Sequence, residues 1–197
     1  MSKVVADQSI SLDGFSTGPN VVAGNTLGDG GERLHEWMFR DEGPTGRDAQ
    51  VRDELFKTSG AVVMGKRMFD LGVQPWGDDP PFHMPVFVIA HVAREPLVKN
   101  RGTAYTFVTH GIEDARAQAK AAACDKDVAI VGGTSTIQQF IKAGLVDELR
   151  IHLVPVLLGD GTRLFDRMGP GQVDLETARV IDASGATHLT FQLSIDG

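Results

Sequence analysis

The chain has 197 residues, 42% of them hydrophobic, enough for one ordinary globular domain with a full core. Its formal charge of -7, from 26 acidic and 19 basic residues, argues against broad binding to nucleic acid or to an anionic membrane, since both demand a basic face. No apolar run approaches the ~18 residues of a membrane span, and MSKVVADQSISLDG lacks a signal-peptide core, so the expectation is a soluble, cytoplasmic protein.

A first strand is expected from Lys3 to Leu12, ended by Asp13-Gly14, and a glycine-rich stretch follows from Gly24 to Gly31. Asp48 is suited to cap a helix carrying Val51 and Leu55 at i, i+4, with Gly60 closing its far end. AVVM at 61–64 is the next strand, and a short helix after Gly65 reaches Leu71. QPWGDDPPFHMP must be loop, because its prolines and glycine break either ladder. VFVIA at 86–90 and TFVT at 106–109 are strands, and the alanines from Glu113 to Cys124 signal a helix. Cys124, the one cysteine, is expected to be a small packing residue. DVAIVGG at 127–133 is a strand ending in a glycine pair, and the helix from Ser135 to Ala143 opens one apolar stripe of Ile137, Phe140, Ile141 and Leu145. ELRIHLVPVLL, LETARVI and THLTFQLSI close the chain as strands. Strands separated by helices predict parallel crossovers, and closing strands without helices predict an antiparallel edge. The fold class is therefore a single α/β domain with a mixed sheet of about eight strands, mostly parallel.

Two glycine-marked junctions carry the chemistry. GAVVMGKRMF, Gly60 to Phe69, contains a glycine, four residues and Gly-Lys, as a nucleoside triphosphate loop does. But Ala61 to Met64 are apolar and partly β-branched, and Arg67 stands where a magnesium-binding hydroxyl belongs. Gly65, Lys66 and Arg67 instead fall at a strand end and helix start, where N–H groups and two cations suit an anion. The second junction, Gly132, Gly133, Thr134, Ser135 and Thr136, lets backbone approach a pyrophosphate. Two such junctions suggest one extended ligand along the C-terminal strand ends.

With SLDGF, VVMGKRMFD, IVGGTSTIQQF and DELRIHLVPVLLGDGTRLF in this order, nearly the whole chain resembles the dihydrofolate-reductase-like superfamily. Within it the chain is similar to the C-terminal reductase domain of the bacterial riboflavin-biosynthesis deaminase-reductase, as a stand-alone paralogue. The resemblance implies NADPH as cofactor, with Gly65, Lys66 and Arg67 on the adenosine side and Gly132 to Thr136 on the pyrophosphate. It places His91 and Arg94 near the 2′-phosphate, and Ser9, Ser16 and Thr17 at the nicotinamide. Met68 stands where family members often have Thr. Gly24 to Gly31 would form a flap over the reacting ring.

On the substrate side, Ala49 occupies the place of the helix carboxylate of dihydrofolate reductase, and Asp53, one turn on, is the candidate carboxylate for the pocket. His152 in LRIHLV is the candidate proton donor. No arginine lies between Gly72 and Ala93 to bind a folate tail, and Trp76 and Phe82 would shape a more apolar substrate site. Arg33, Arg40 and Arg47 are possible but unassigned grips for a substrate phosphate. The six histidines show no ligand spacing for a catalytic metal. The expectation is an NADPH-dependent reductase of a small planar substrate, a homodimer through VPVLLGDGTRLF; the alternative is a non-catalytic NADPH-binding redox sensor.

Overall fold

The structure, a computed structural model, describes residues 2–40 and 42–193. In chain order it contains β1 (Val4–Ser11), β2 (Phe15–Thr17), a 3-10 turn (Gly31–Leu34), α1 (Glu36–Phe39), α2 (Gly46–Thr58), β3 (Ser59–Gly65) and α3 (Lys66–Gly72). Then come β4 (Pro85–Ile89), β5 (Leu97–Val98), a second 3-10 turn (Asn100–Gly102), β6 (Ala104–Val108), α4 (Ile112–Ala123), β7 (Asp127–Ile130) and α5 (Thr134–Lys142). The chain closes with β8 (Glu148–Val154), β9 (Thr162–Arg163), β10 (Leu175–Asp182) and β11 (Thr187–Leu193). The end of the last predicted strand, Ser194 and Ile195, lies outside the described residues.

Nine strands form one mixed sheet in the order β10-β11-β8-β1-β7-β3-β4-β6-β5, and β2 pairs with β9 separately. β1, β7, β3, β4 and β6 are parallel, as the intervening helices require. β11 is antiparallel to both β8 and β10, and the short β5 is antiparallel to β6.

The backbone groups into two compact units, one of residues 1–6 and 56–146, the other of residues 7–55 and 147–197. In the first, Val62, Val63 and Met64 of β3 are buried, as expected of a parallel strand covered on both faces, so the stretch that mimics a triphosphate loop is core. Gly60 does not close α2. It lies inside β3, where a Cβ would stand 2.7 Å from the Ala123 carbonyl and 2.9 Å from Lys126 Cβ. α4 reaches that contact through Ala115, Ala119 and Ala123, which repeat every four residues on its buried face.

In the second unit, Trp37 and Leu34 are buried, and Gly185 in the turn between β10 and β11 is packed without slack. A Cβ there would stand 2.6 Å from Trp37 Cβ and 3.0 Å from Asp48 Oδ2. Gly185→Ala should therefore cost about 1–3 kcal/mol by overpacking, readable as a lower urea midpoint. An unchanged midpoint would show that the turn can yield.

Candidate active site

The second unit holds a continuous buried chain of titratable groups. Alternation along β1 puts Asp7 and Ser9 on one face, and the antiparallel register sets His188 of β11 directly opposite His152 of β8. Asp7 Oδ1 lies 3.1 Å from His152 Nε2, and His152 Nδ1 lies 2.8 Å from His188 Nδ1. His188 Nε2 lies 3.0 Å from Asp48 Oδ1. The other oxygen of Asp48 accepts from the Gly185 N–H at 2.9 Å and the Ser184 hydroxyl at 3.1 Å. All four members are buried; His152 is 2% exposed and Asp7 is 7% exposed.

Trp37 covers both imidazoles, with ring centroids 4.4 Å from His152 and 4.8 Å from His188, while its indole N–H donates to Ser9 Oγ at 2.9 Å. Desolvation holds His188 below the ordinary imidazole value, and His152 adds to this against the opposing hydrogen bond that His188 makes to Asp48. His35 is pushed down to about 4, first by desolvation and then by His152. Asp7 Oδ2 is buried with no hydrogen-bond partner among the described residues. Asp7 also lines a small cleft with Glu54, Leu55, Arg150, His152 and Arg179, whose interior of about 20 Å³ holds about one water.

The first unit brings its two glycine junctions side by side, because β3 and β7 are adjacent parallel strands. Gly65 N–H donates to the Gly132 carbonyl at 2.9 Å, and a Cβ on Gly65 would stand 2.6 Å from Thr136 Oγ1. Gly132, at φ 128, needs the conformation only glycine adopts readily, and its peptide to Gly133 is cis. α5 then starts at Thr134, with Thr136 N–H closing onto the Gly133 carbonyl at 2.8 Å and no acidic residue in its first turn. Lys66 Nζ pairs with Asp70 at 2.5 Å. Arg94 approaches the same carboxylate at 4.0 Å and lies over the Phe107 ring at 4.9 Å. Ser135, Arg67 and His91 are exposed.

Several expectations are corrected by position. Asp53 does not face the pocket: it is 66% exposed and pairs with its neighbour Arg52. Asp48 carries the buried carboxylate of α2 instead, and it binds the hairpin turn and His188 rather than capping the helix. Cys124 is exposed at the end of α4, not packed. Ser9 Oγ accepts from Trp37 and Ser16 Oγ donates to the Thr162 carbonyl, whereas Thr17 Oγ1 is buried without a partner among the described residues. Trp76 packs edge-on against Phe82 at 5.1 Å and against Gly72, which is how aromatic residues anchor a loop.

The Gly24–Gly31 stretch is tied internally: Asp29 accepts from Asn20 and Asn25, both at 2.7 Å, and its N–H reaches the Pro19 carbonyl. Arg33 pairs with Glu36, and Arg47 donates to the Asp182 carbonyl. Sequence reading missed Asp7, His35, Trp37 and His188. An aspartate and a histidine at inward positions of apolar strands were the available signal.

Residues 2–189 match the family described as the RibD C-terminal domain. The chain belongs to the RibD C-terminal domain family. The chain is similar to the Bacillus subtilis (strain 168) protein YyaP, 28% identical over 169 residues, a match covering 83% of this chain and 80% of that protein. A protein of Shewanella sp. PV-4 named for riboflavin biosynthesis superposes with a TM-score of 0.74 at 24% identity, over 98% of this chain and 99% of that one. Dihydrofolate reductase from Enterococcus faecalis, solved with NADP(H), superposes with a TM-score of 0.61 at 13% identity, over 98% and 97% of the two chains. The RibD-type fold here is thus the dihydrofolate-reductase-like one. Among the described residues no helix is long and apolar enough to cross a membrane, and no cluster of ligands suits a metal ion.

Proposed function

We propose that this protein is an NADPH-dependent reductase that passes a hydride to a small planar acceptor, pyrimidine-, pterin- or carbonyl/imine-like, rather than to folate. The observation that carries the reading is the pair of glycine ends on β3 and β7, joined by the Gly65 to Gly132 hydrogen bond. Backbone without side chains there suits a pyrophosphate, and α5 presents its N-terminal dipole with no carboxylate of its own first turn to oppose an anion. Gly132, Gly133, Thr134, Ser135 and Thr136 would hold the pyrophosphate, and Gly65, Lys66, Arg67, His91 and Arg94 the adenosine side with its 2′-phosphate. Ser9, Ser16 and Thr17 remain the nicotinamide contacts of this reading, Thr17 having the hydroxyl still unsatisfied.

Bound NADPH supplies the hydride. The protein's own part is to orient the acceptor and to furnish a proton, and the buried His152 in its hydrogen-bonded chain suits that work. The same reading makes the protein a cytoplasmic homodimer, which sedimentation of the purified chain checks.

Calorimetry with NADPH and NADH tests the proposal. NADPH should bind more tightly, and Lys66→Ala with Arg67→Ala should weaken that preference by about tenfold or more, the equivalent of one charge-assisted contact. Binding of neither cofactor would end the reductase reading. Turnover of NADPH with any member of a carbonyl and imine panel excludes the alternative of a redox sensor without chemistry.

A further inference from the structure

We infer that Asp7, His152, His188 and Asp48 form a proton relay whose Asp7 end opens on the cleft, and that Asp7 is the group that releases the proton. The inference rests on the reductase reading for the use made of that proton, but the relay follows from the geometry alone.

Its three links, Asp7 to His152, His152 to His188 and His188 to Asp48, need three protons. Two neutral imidazoles bring two. The third proton can reside on either imidazole or on either end carboxylate, and two of these placements, His188 and Asp7, define the relay. In one form His188 is an imidazolium, donating from Nδ1 to His152 and from Nε2 to Asp48, while His152 Nε2–H donates to Asp7. In the other, Asp7 is a carboxylic acid donating to His152 Nε2, His152 Nδ1–H donates to His188, and His188 Nε2–H still donates to Asp48. Every link is made in both forms, so a proton passes between His188 and Asp7 without the loss of a hydrogen bond.

The two ends are not equivalent. Asp48 receives the Gly185 N–H and the Ser184 hydroxyl besides His188, so both of its oxygens are engaged. Asp7 has one partner among the described residues, and its second oxygen is buried and unpaired there, so only His152 holds it. The depressed basicity of His188 disfavours keeping the third proton on that imidazole. The groups around the chain are His35 before α1, Arg40 after α1, whose guanidinium shares the Gly185 turn with Asp48, Glu54 on α2, Arg150 on β8 with its partner Glu148, and Arg179 on β10 with its partner Glu54. The two arginines at the cleft, Arg150 and Arg179, are paired to carboxylates, and Arg40 lies at the Asp48 end.

The step balances as follows. A C=N or C=O acceptor gains a hydride at carbon from the reduced nicotinamide, and the bond's electron pair moves to the heteroatom. A turn about the broad terminal torsion of Asp7 aims its O–H at the cleft, and the proton passes through the single water that the cleft accommodates to that heteroatom. The chain is left with two protons and regains the third from solvent.

The test is the ¹⁵N spectrum of the imidazole nitrogens of the full chain, from pH 5 to 9, in wild type and Asp7→Asn. In wild type, His152 and His188 should shift together with one midpoint. An asparagine amide donates to His152 without carrying a transferable proton, so Asp7→Asn should leave both imidazoles neutral and lower the midpoint by more than one pH unit. Independent midpoints, or a midpoint unmoved by the substitution, would overturn the relay. Should Asp7→Asn not fold, Asp48→Asn removes the same shared proton from the far end, with the same expected and overturning results. NADPH calorimetry on the folded variant separates the two readings: the relay stands or falls on the ¹⁵N midpoints, and the reductase on cofactor binding.

Discussion

Trp37→Ala will lower the stability of the fold by about 3–5 kcal/mol. Trp37 is 1% exposed, and its ring is the surface on which both imidazoles rest. Truncation leaves a cavity under His152 and His188 and removes the donor to Ser9 Oγ. The hairpin turn cannot collapse to fill the space, because Asp48 and the β10–β11 ladder hold Gly185 in place. Trp37→Phe keeps most of the packing and loses only the indole N–H, leaving a buried hydroxyl unpaired, at a cost of about 1–2 kcal/mol. Urea unfolding separates the two variants. If Trp37→Ala falls within 1 kcal/mol of wild type, as an order-of-magnitude threshold, the aromatic lid is not structural.

Acid should destabilise the wild type more than His35→Gln, and the gap should open between pH 6.5 and about 4. The His35 imidazole titrates at about 4 in the folded chain against 6.5 in the unfolded one. The folded state therefore binds fewer protons over that interval, and stability falls as pH drops through it, levelling off below pH 4. The full shift would correspond to on the order of 3 kcal/mol, and partial exposure of the ring reduces this to roughly 2 kcal/mol. The measurement is the difference between the two proteins' urea-derived stabilities as a function of pH. Parallel curves would mean that His35 is solvated enough to take up its proton in the folded state. Glutamine keeps a polar side chain at this position and removes only the titratable ring.

What was legible in the sequence was local. The apolar run Ala61 to Met64 and the glycines on either side placed β3 and its junction with α3. Gly132-Gly133 and the hydroxyl-rich start of α5 did the same for the second junction. His152 stood out as an imidazole in an apolar strand that could donate a proton to a bound substrate near neutral pH. The partners themselves were not legible. His188 meets His152 only through the register of β11 against β8, and Asp48 meets His188 only because a turn 137 residues away folds back on α2. The sequence assigns Asp48 to capping α2 and leaves Asp53, one turn on from Ala49, as the pocket carboxylate, yet the Asp48 side chain is held by Ser184 and Gly185. Asp7 escaped notice for a related reason. A carboxylate in a strand reads as an edge charge until the neighbouring strands are known to bury it.

The histidine pair also bears on how the strands find their alignment. A slip of β11 by one residue along β8 would set Thr187 or Leu189 against His152 and turn His188 to the opposite face. Asp48 would then be interred without His188, and His152 Nδ1 without its partner, while Asp7 keeps His152. Misaligned pairings are thereby penalised at two separated points, so the same four side chains act as a combination lock on the topology of the closing strands.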